Sequence, residues 1–351
     1  MTTTNEANKL TYQELLAAEL PPNPPPKSAL LTIDLFAGCG GMALGFEAAG
    51  LRTVGYEMLP DASATYRHNL QGSCYQVTLS PNSDLEIEAA AIIGGPPCQP
   101  FSVSGHQRGL KDSRDGFPIF ISAVERYQPP IAIFENVRGM LYKNKTYFAE
   151  IVAALKNIGY HVEWEILKAA HYGVPQRRER LFCIAHKGGW QWPPKTHFHS
   201  TYTAGEALGD LAFTVPSDAK FLTPSMDKYI QKYERASKCV TPRDLHLHAP
   251  ARTVTCRNLA AATGDMLRIR LPDGRRRRLT VREGARLQSF PDWFEFCGNF
   301  DSQCYQIGNA VPPLLAKAIA DSVKQYLEGK PTPTAASQEP IQLSFDFMKE
   351  Y

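Results

Sequence analysis

Residues 29–57 read ALLTIDLFAGCGGMALGFEAAGLRTVGYE, and this stretch sets the expected architecture. Ala29 to Phe36 is an apolar run of strand length. Ala37-Gly38-Cys39-Gly40-Gly41 then turns the chain into a helix from Met42 to Ala49, which Gly50 ends. Glycines there let the backbone approach a ligand, and the helix start presents free N–H groups. A second strand, Arg52 to Tyr56, delivers Glu57 where a carboxylate can take both hydroxyls of a ribose. Strand, glycine turn, helix and strand imply an α/β, Rossmann-like domain with a nucleoside-containing cofactor. The spacing Gly38-x-Gly40-x-x-Ala43 with Glu57 suits a nicotinamide dinucleotide as well as S-adenosyl-L-methionine, and a tight turn with no ligand is the plainer alternative.

Further along, the apolar run Ala89 to Ile93 leads into Gly94 to Ser102, GGPPCQPFS. Pro96, Pro97 and Pro100 fix φ and remove donors, so Cys98 stands in a stiff loop that neither continues a strand nor starts a helix. Such a loop can aim a thiol as a nucleophile, whereas an arbitrary cysteine is more often buried and inert. Val103 to Asp115 is polar and basic, suited to closing over a substrate or to being an inert surface loop. A helix is expected over Phe117 to Tyr127 and a buried strand over Pro130 to Phe134. That strand delivers Glu135 at its end, facing the crevice where open α/β sheets bind ligands. In the run Gln176 to Arg180, QRRER, residues two apart share a face if the chain is extended, so Arg178 and Arg180 project together, toward an anionic group or a carbonyl oxygen.

Composition bounds the rest. The 351 residues, 43% hydrophobic, suit a large α/β domain plus a smaller one. No run of eighteen uncharged apolar residues and no signal-like start occurs, so a cytoplasmic protein with no membrane partner is expected. The eight cysteines contain no C-x-x-C pair, which argues against a disulfide framework or a zinc ribbon; His197, His199, His246 and His248 lack acid or thiol ligands at metal spacing, so no metal is expected. Net charge is only +3, but His171 to Phe290 holds 21 Lys and Arg against 10 Asp and Glu. Basic charge so segregated suits a polyanion such as nucleic acid. Arg252, Arg257, Arg268, Arg270 and Arg275 to Arg278 are the candidates for phosphate or guanine contacts.

These blocks, in this order, resemble the cytosine-C5 DNA methyltransferases of bacterial restriction-modification systems. DLFAGCGGMALGFEAAG and GYEM resemble the first two blocks, GGPPCQPFS the nucleophile loop, ENV the glutamate block, QRRER the arginine block, and LTVREGARLQSFP and QIGNAV the last two. The resemblance implies S-adenosyl-L-methionine, bound by Phe36, Ala37, Gly38, Cys39, Gly40, Gly41, Glu57, Met58, Gln76, Val77, Pro97 and Asn309. The third block normally offers an Asp to adenine; Gln76 stands in its place. Cys98, Glu135, Arg178 and Arg180 would be catalytic, with Gln99, Ser102, Arg252, Arg257, Arg275 and Arg276 touching DNA. Expected are methylation at C5 of a flipped-out cytosine in a specific duplex sequence, through a Cys98–C6 bond, by a monomer that shares its site with a restriction endonuclease. A tRNA cytosine methyltransferase and a non-catalytic DNA-binding regulator on the same fold are the alternatives.

The expected organisation has five parts. Residues 1–28 form an N-terminal extension, with a helix from Tyr12 to Leu20 capped at Thr11 and a Pro-rich connector. The catalytic domain covers 29–189, and a smaller, irregular target recognition domain covers 190–303. A helix within 304–329 returns to the first domain, and 330–351 is a tail.

Overall fold

The computed structural model describes residues 9–85, 88–97, 115–217, 219–236, 243–261 and 264–329. Helix α1 (Tyr12–Glu19) starts at the expected capping box, Thr11 with Glu14. The sheet elements follow as β1 (Leu31–Leu35), α2 (Gly41–Ala48), β2 (Arg52–Glu57), α3 (Pro60–Asn69), β3 (Ser73–Gln76), β4 (Ala91–Gly94), α4 (Phe117–Tyr127), β5 (Ile131–Val137), α5 (Lys145–Asn157), β6 (His161–Lys168) and β7 (Glu179–His186). They form a seven-stranded sheet in the order β3-β2-β1-β4-β5-β7-β6. Only β7 runs against its neighbours, inserted between β5 and β6. The strand order reverses between β1 and β4, which places a ligand crevice at their carboxyl ends.

Alternation along the strands fills both faces. Ile131, Ile133, Phe182 and Ile184 pack on one side with Phe46 of α2, and Ala132, Phe134, Leu181 and Cys183 on the other with Phe120 of α4 and Ile151 of α5. Two of the boundaries that differ from expectation bear on the site. β4 is shorter than the apolar run before it, and β5 continues beyond Phe134 because β7 supplies a ladder partner as far as the pair Val137 and Arg180. Glu135 therefore lies within a paired strand rather than beyond its end.

After β7 come α6 (Ala204–Leu208), α7 (Pro224–Ala236), α8 (Cys256–Ala260), a two-stranded ribbon of β8 (Arg268–Arg270) and β9 (Arg276–Arg278), α9 (Val281–Leu287), α10 (Phe300–Asn309) and α11 (Pro313–Leu327). Leu208, Leu259 and Leu279 of this segment share one apolar cluster with α2 and with Leu315 and Ile319 of α11. Helix α11 returns to α2, where Lys324 Nζ donates to the Ala49 carbonyl at 2.9 Å. Helix α1 is built in as well: Tyr12 donates to the Arg286 carbonyl at 3.2 Å and lies 5.2 Å from the Tyr202 ring.

Candidate active site

The chain leaving β1 takes an unusual backbone. Phe36 has φ +59°, Gly38 +57° and Gly40 +87°. An aromatic residue there is strained, a feature that clusters at ligand sites. Glu57, at the end of β2, holds the turn: its Oε2 accepts from Gly38 N at 2.8 Å and its Oε1 from Leu59 N at 2.7 Å. Each carboxylate oxygen has a second lone pair free for a ribose hydroxyl. A Cβ placed on Gly38 meets nothing within 4 Å, whereas one on Gly40 meets Leu70 Cδ1 at 2.5 Å and one on Gly41 meets the Val311 carbonyl at 2.6 Å. The turn is thus open at Gly38 and packed at Gly40 and Gly41, and this open cradle beside a carboxylate fits a nucleoside cofactor. The Cys39 side chain faces inward: its Sγ meets the Gln306 carbonyl at 3.7 Å, and burial pushes the thiol up to about 12. Any contact from Cys39 to a ligand is therefore through its backbone. Ala37 is buried, its N–H bonded to the Tyr56 carbonyl at 3.1 Å. Met58, Gln76 and Val77 are exposed at the ends of β2 and β3, and Val77 N donates to the Glu57 carbonyl. Asn309, exposed at the end of α10, lies two residues from the Val311 carbonyl that packs on the turn.

Cys98, Gln99 and Ser102 lie outside the described residues. Their described neighbours are held firmly. Asn136 Nδ2 donates to the Pro96 carbonyl at 3.1 Å, and Gly116 N donates to the Pro97 carbonyl at 3.0 Å. A side chain at Gly95 would meet Glu135 Oε2 at 3.8 Å, so Glu135 stands beside the GGPP run. Across the β5/β7 ladder, Arg180 Nε meets Glu135 Oε1 at 2.8 Å, both side chains almost wholly buried. Burial pushes the Glu135 carboxyl above its ordinary value, while Arg180 and then Arg178 pull it back.

Arg178 has a different task from the one expected. It is buried, and its terminal nitrogens donate to the carbonyls of Val254 (2.8 Å), Gly308 (3.2 and 3.3 Å) and Ala310 (2.9 Å). Those bonds tie the entry to β7 to the segment before α8 and to the C-terminal end of α10. Gln176 assists, accepting from Val254 N at 2.9 Å and donating to the Leu287 carbonyl at 2.8 Å. Asn136 and Gln176 were not singled out in the sequence, although both stand inside the quoted ENV and QRRER blocks.

Most of the candidate arginines between Arg252 and Arg278 are spent internally. Arg276 pairs with Asp227 at 2.6 Å and Asp244 at 3.5 Å and is 10% exposed. Arg268 is fully buried between Glu234 and Asp244. Arg277 is fully buried on both Glu283 oxygens at 2.9 and 2.7 Å. Arg278 donates to the carbonyls of Leu259 and Ala260, and Arg252 holds Asp265 at 3.0 Å. Arg270 (58% exposed) and Arg275 (60%) reach solvent although each has an acidic neighbour, and Arg257 is exposed. A count of charges could not see this, because Asp227, Glu234 and Asp244 come tens of residues earlier in the chain, and even Glu283, six residues from Arg277, meets it only when the chain folds back after β9. Removing one partner of a fully buried pair strands the other, so Arg277→Ala is expected to destabilise the fold by about 3–5 kcal/mol, read by chemical denaturation.

Comparisons with known proteins agree with this geometry. The family model described as C-5 cytosine-specific DNA methylase matches residues 30–325. The chain is 62% identical over 326 residues to the Type II methyltransferase M.AplI of Arthrospira platensis, covering 93% of this chain and 94% of that protein. It is 34% identical to the Type II methyltransferase M1.HphI of Haemophilus parahaemolyticus, covering 84% and 87%. Among solved structures it shares its fold with a Spodoptera frugiperda DNMT2 variant, at a TM-score of 0.66 and 18% identity, covering 84% of this chain and 100% of that one. The S. pombe Dnmt2 methyltransferase matches at a TM-score of 0.65, again with 18% identity, covering 86% and 99%. An open glycine turn at the β1/β4 switch, a buried glutamate beside the GGPP run and a family match along almost the whole chain have one reading: this protein belongs to the C-5 cytosine-specific DNA methylase family.

Proposed function

We propose that this chain methylates one cytosine within a short duplex sequence, through a transient bond from Cys98 Sγ to C6 of the flipped-out base. The observation that carries the reading is the buried Glu135–Arg180 pair beside Gly95, at the edge of the crevice that also holds the open glycine turn. Family membership makes the reaction DNA cytosine-C5 methylation with S-adenosyl-L-methionine as donor. When bound, that donor supplies an electrophilic methyl on a positively charged sulfur. Phe36, Gly38 and Glu57 are the residues to hold it, with Met58, Gln76, Val77, Pro97 and Asn309 around them.

C5 of cytosine is a weak nucleophile until the ring gains electrons. Cys98, as the thiolate, adds to C6 and pushes the electron pair toward C5, while Glu135 gives its proton to N3 and accepts from the exocyclic amine. Arg180 then balances the carboxylate left behind. After the methyl arrives, a base takes the C5 proton, the C6–S bond breaks to return the thiolate, and N3 gives its proton back to Glu135. Attack from above the ring requires the base to leave the stack, at a cost of a few kcal/mol that contacts to the duplex must offset. Arg257, Arg270 and Arg275 are the exposed arginines that remain from the expected candidates for those contacts, with Gln99 and Ser102 beside the base.

The 62%-identical relative carries the name Type II methyltransferase. On that basis we take this chain as the modification partner of an endonuclease sharing its site, and from the family resemblance as a monomer. Bisulfite sequencing of DNA from cells expressing the protein tests the specificity: 5-methylcytosine confined to one short sequence supports it, and its absence, or methylation only of tRNA, overturns it.

A further inference from the structure

The connection between β4 and α4 leaves and returns at one point. Gly116 N donates to the Pro97 carbonyl at 3.0 Å, so Pro97 and Gly116 are pinned together while residues 98–114 run between them. The approach requires glycine: a Cβ on Gly116 would stand 2.5 Å from Pro97 Cδ and 3.0 Å from Phe36 Cζ. Beside it Asp115 is buried and bridges two helices. Its Oδ1 accepts from Phe117 N at 3.1 Å, at the start of α4. Its Oδ2 accepts from the Tyr147 hydroxyl of α5, and the Tyr147 ring packs edge-on to Phe117 at 5.9 Å.

Capping a helix needs only the first of these bonds, which an exposed Ser, Asn or Asp makes without burial. Burying a carboxylate is costly unless its oxygens are satisfied, and the second bond reaches across to α5. The pair therefore does more than start α4: it fixes Gly116 relative to the sheet, and through Gly116 the Pro97 carbonyl. Asn136 holds the preceding carbonyl, that of Pro96, from the other side. Two successive carbonyls are thus clamped directly before Cys98.

We propose that Asp115 and Tyr147 are positioning residues for Cys98: their buried bond fastens Gly116 on Pro97 and sets the direction in which the chain enters the nucleophile loop. The proposal rests on the reading of Cys98 as the nucleophile. Misplacing a reacting atom by about an ångström costs up to about a hundredfold in rate without any loss of binding contacts.

The test is covalent capture of the full-length protein on plasmid DNA carrying 5-fluorocytosine, together with single-turnover methyl transfer to the unsubstituted plasmid. Tyr147→Phe, which removes only the hydroxyl, and Asp115→Ala are expected to slow both steps about tenfold or more, with affinities for donor and DNA within about twofold. Asp115→Asn keeps an acceptor for Phe117 N and a hydrogen-bonding amide facing the Tyr147 hydroxyl, and is expected to restore most of the rate. If Asp115→Ala fails to fold, Tyr147→Phe carries the test alone. Wild-type rates in Tyr147→Phe overturn the proposal, as does a rate loss matched by an equal loss of donor affinity, which is what a merely structural role produces. Capture of Cys98→Ala would instead overturn the nucleophile reading.

Discussion

Replacing Cys98 with alanine is expected to abolish methyl transfer while leaving duplex affinity within about tenfold, because a nucleophile and not a docking group is removed. Alanine cannot add to C6, so C5 never becomes electron-rich enough to accept the methyl. The remaining groups, Glu135 and Arg180 among them, still surround the base but have no addition step to assist. Labelled-methyl incorporation at saturating DNA, paired with a binding titration, separates the two outcomes. Turnover above a thousandth of the wild-type rate would assign the nucleophile elsewhere; loss of both turnover and binding would make Cys98 a structural residue.

Glu135→Gln is expected to lower the single-turnover rate by about 10²–10⁴-fold, the range for a lost general acid. The amide keeps the shape and a hydrogen bond to cytosine but cannot give up a proton to N3. The sign of the pH dependence follows from burial. The folded environment pushes the Glu135 carboxyl above its ordinary value, so it keeps its proton to higher pH than a solvated glutamate and loses it as pH rises through the folded value. A falling alkaline limb in the rate profile is therefore expected, and it should be missing from the residual activity of Glu135→Gln. The same limb in both proteins would remove Glu135 as the proton donor. Arg180 limits the effect, since its guanidinium 2.8 Å away favours the ionised form.

Local signals were the most readable part of the chain. The run Phe117 to Tyr127 forms α4 over those same residues, and Thr11 with Glu14 starts α1 as a capping box does. Parity also held along QRRER: Arg180 faces Glu135 and Glu179 turns away to Arg138. What stayed hidden was set by distant partners. No pattern within PIAIFENV tells that an antiparallel neighbour will extend the strand past Phe134, because that neighbour comes more than forty residues later. The arginines misled for a related reason: Arg268, Arg276 and Arg277 look like a polyanion surface until Glu234, Asp244, Asp227 and Glu283 are folded against them. Arg178 shares a motif with Arg180, yet its side chain ends on carbonyls of the later chain.

That last tie bears on how the polypeptide can be divided. A fragment ending at Gly189 would retain the whole seven-stranded sheet but leave the guanidinium of Arg178 without the acceptors at Val254, Gly308 and Ala310, and α2 without its covering helix. Without the later chain, the apolar face of α2 that packs against Leu315 and Ile319 is open to water, a poor starting point for independent folding. The sheet half should accordingly need its other half present during refolding, so that co-expressed pieces reassemble where either one made separately aggregates.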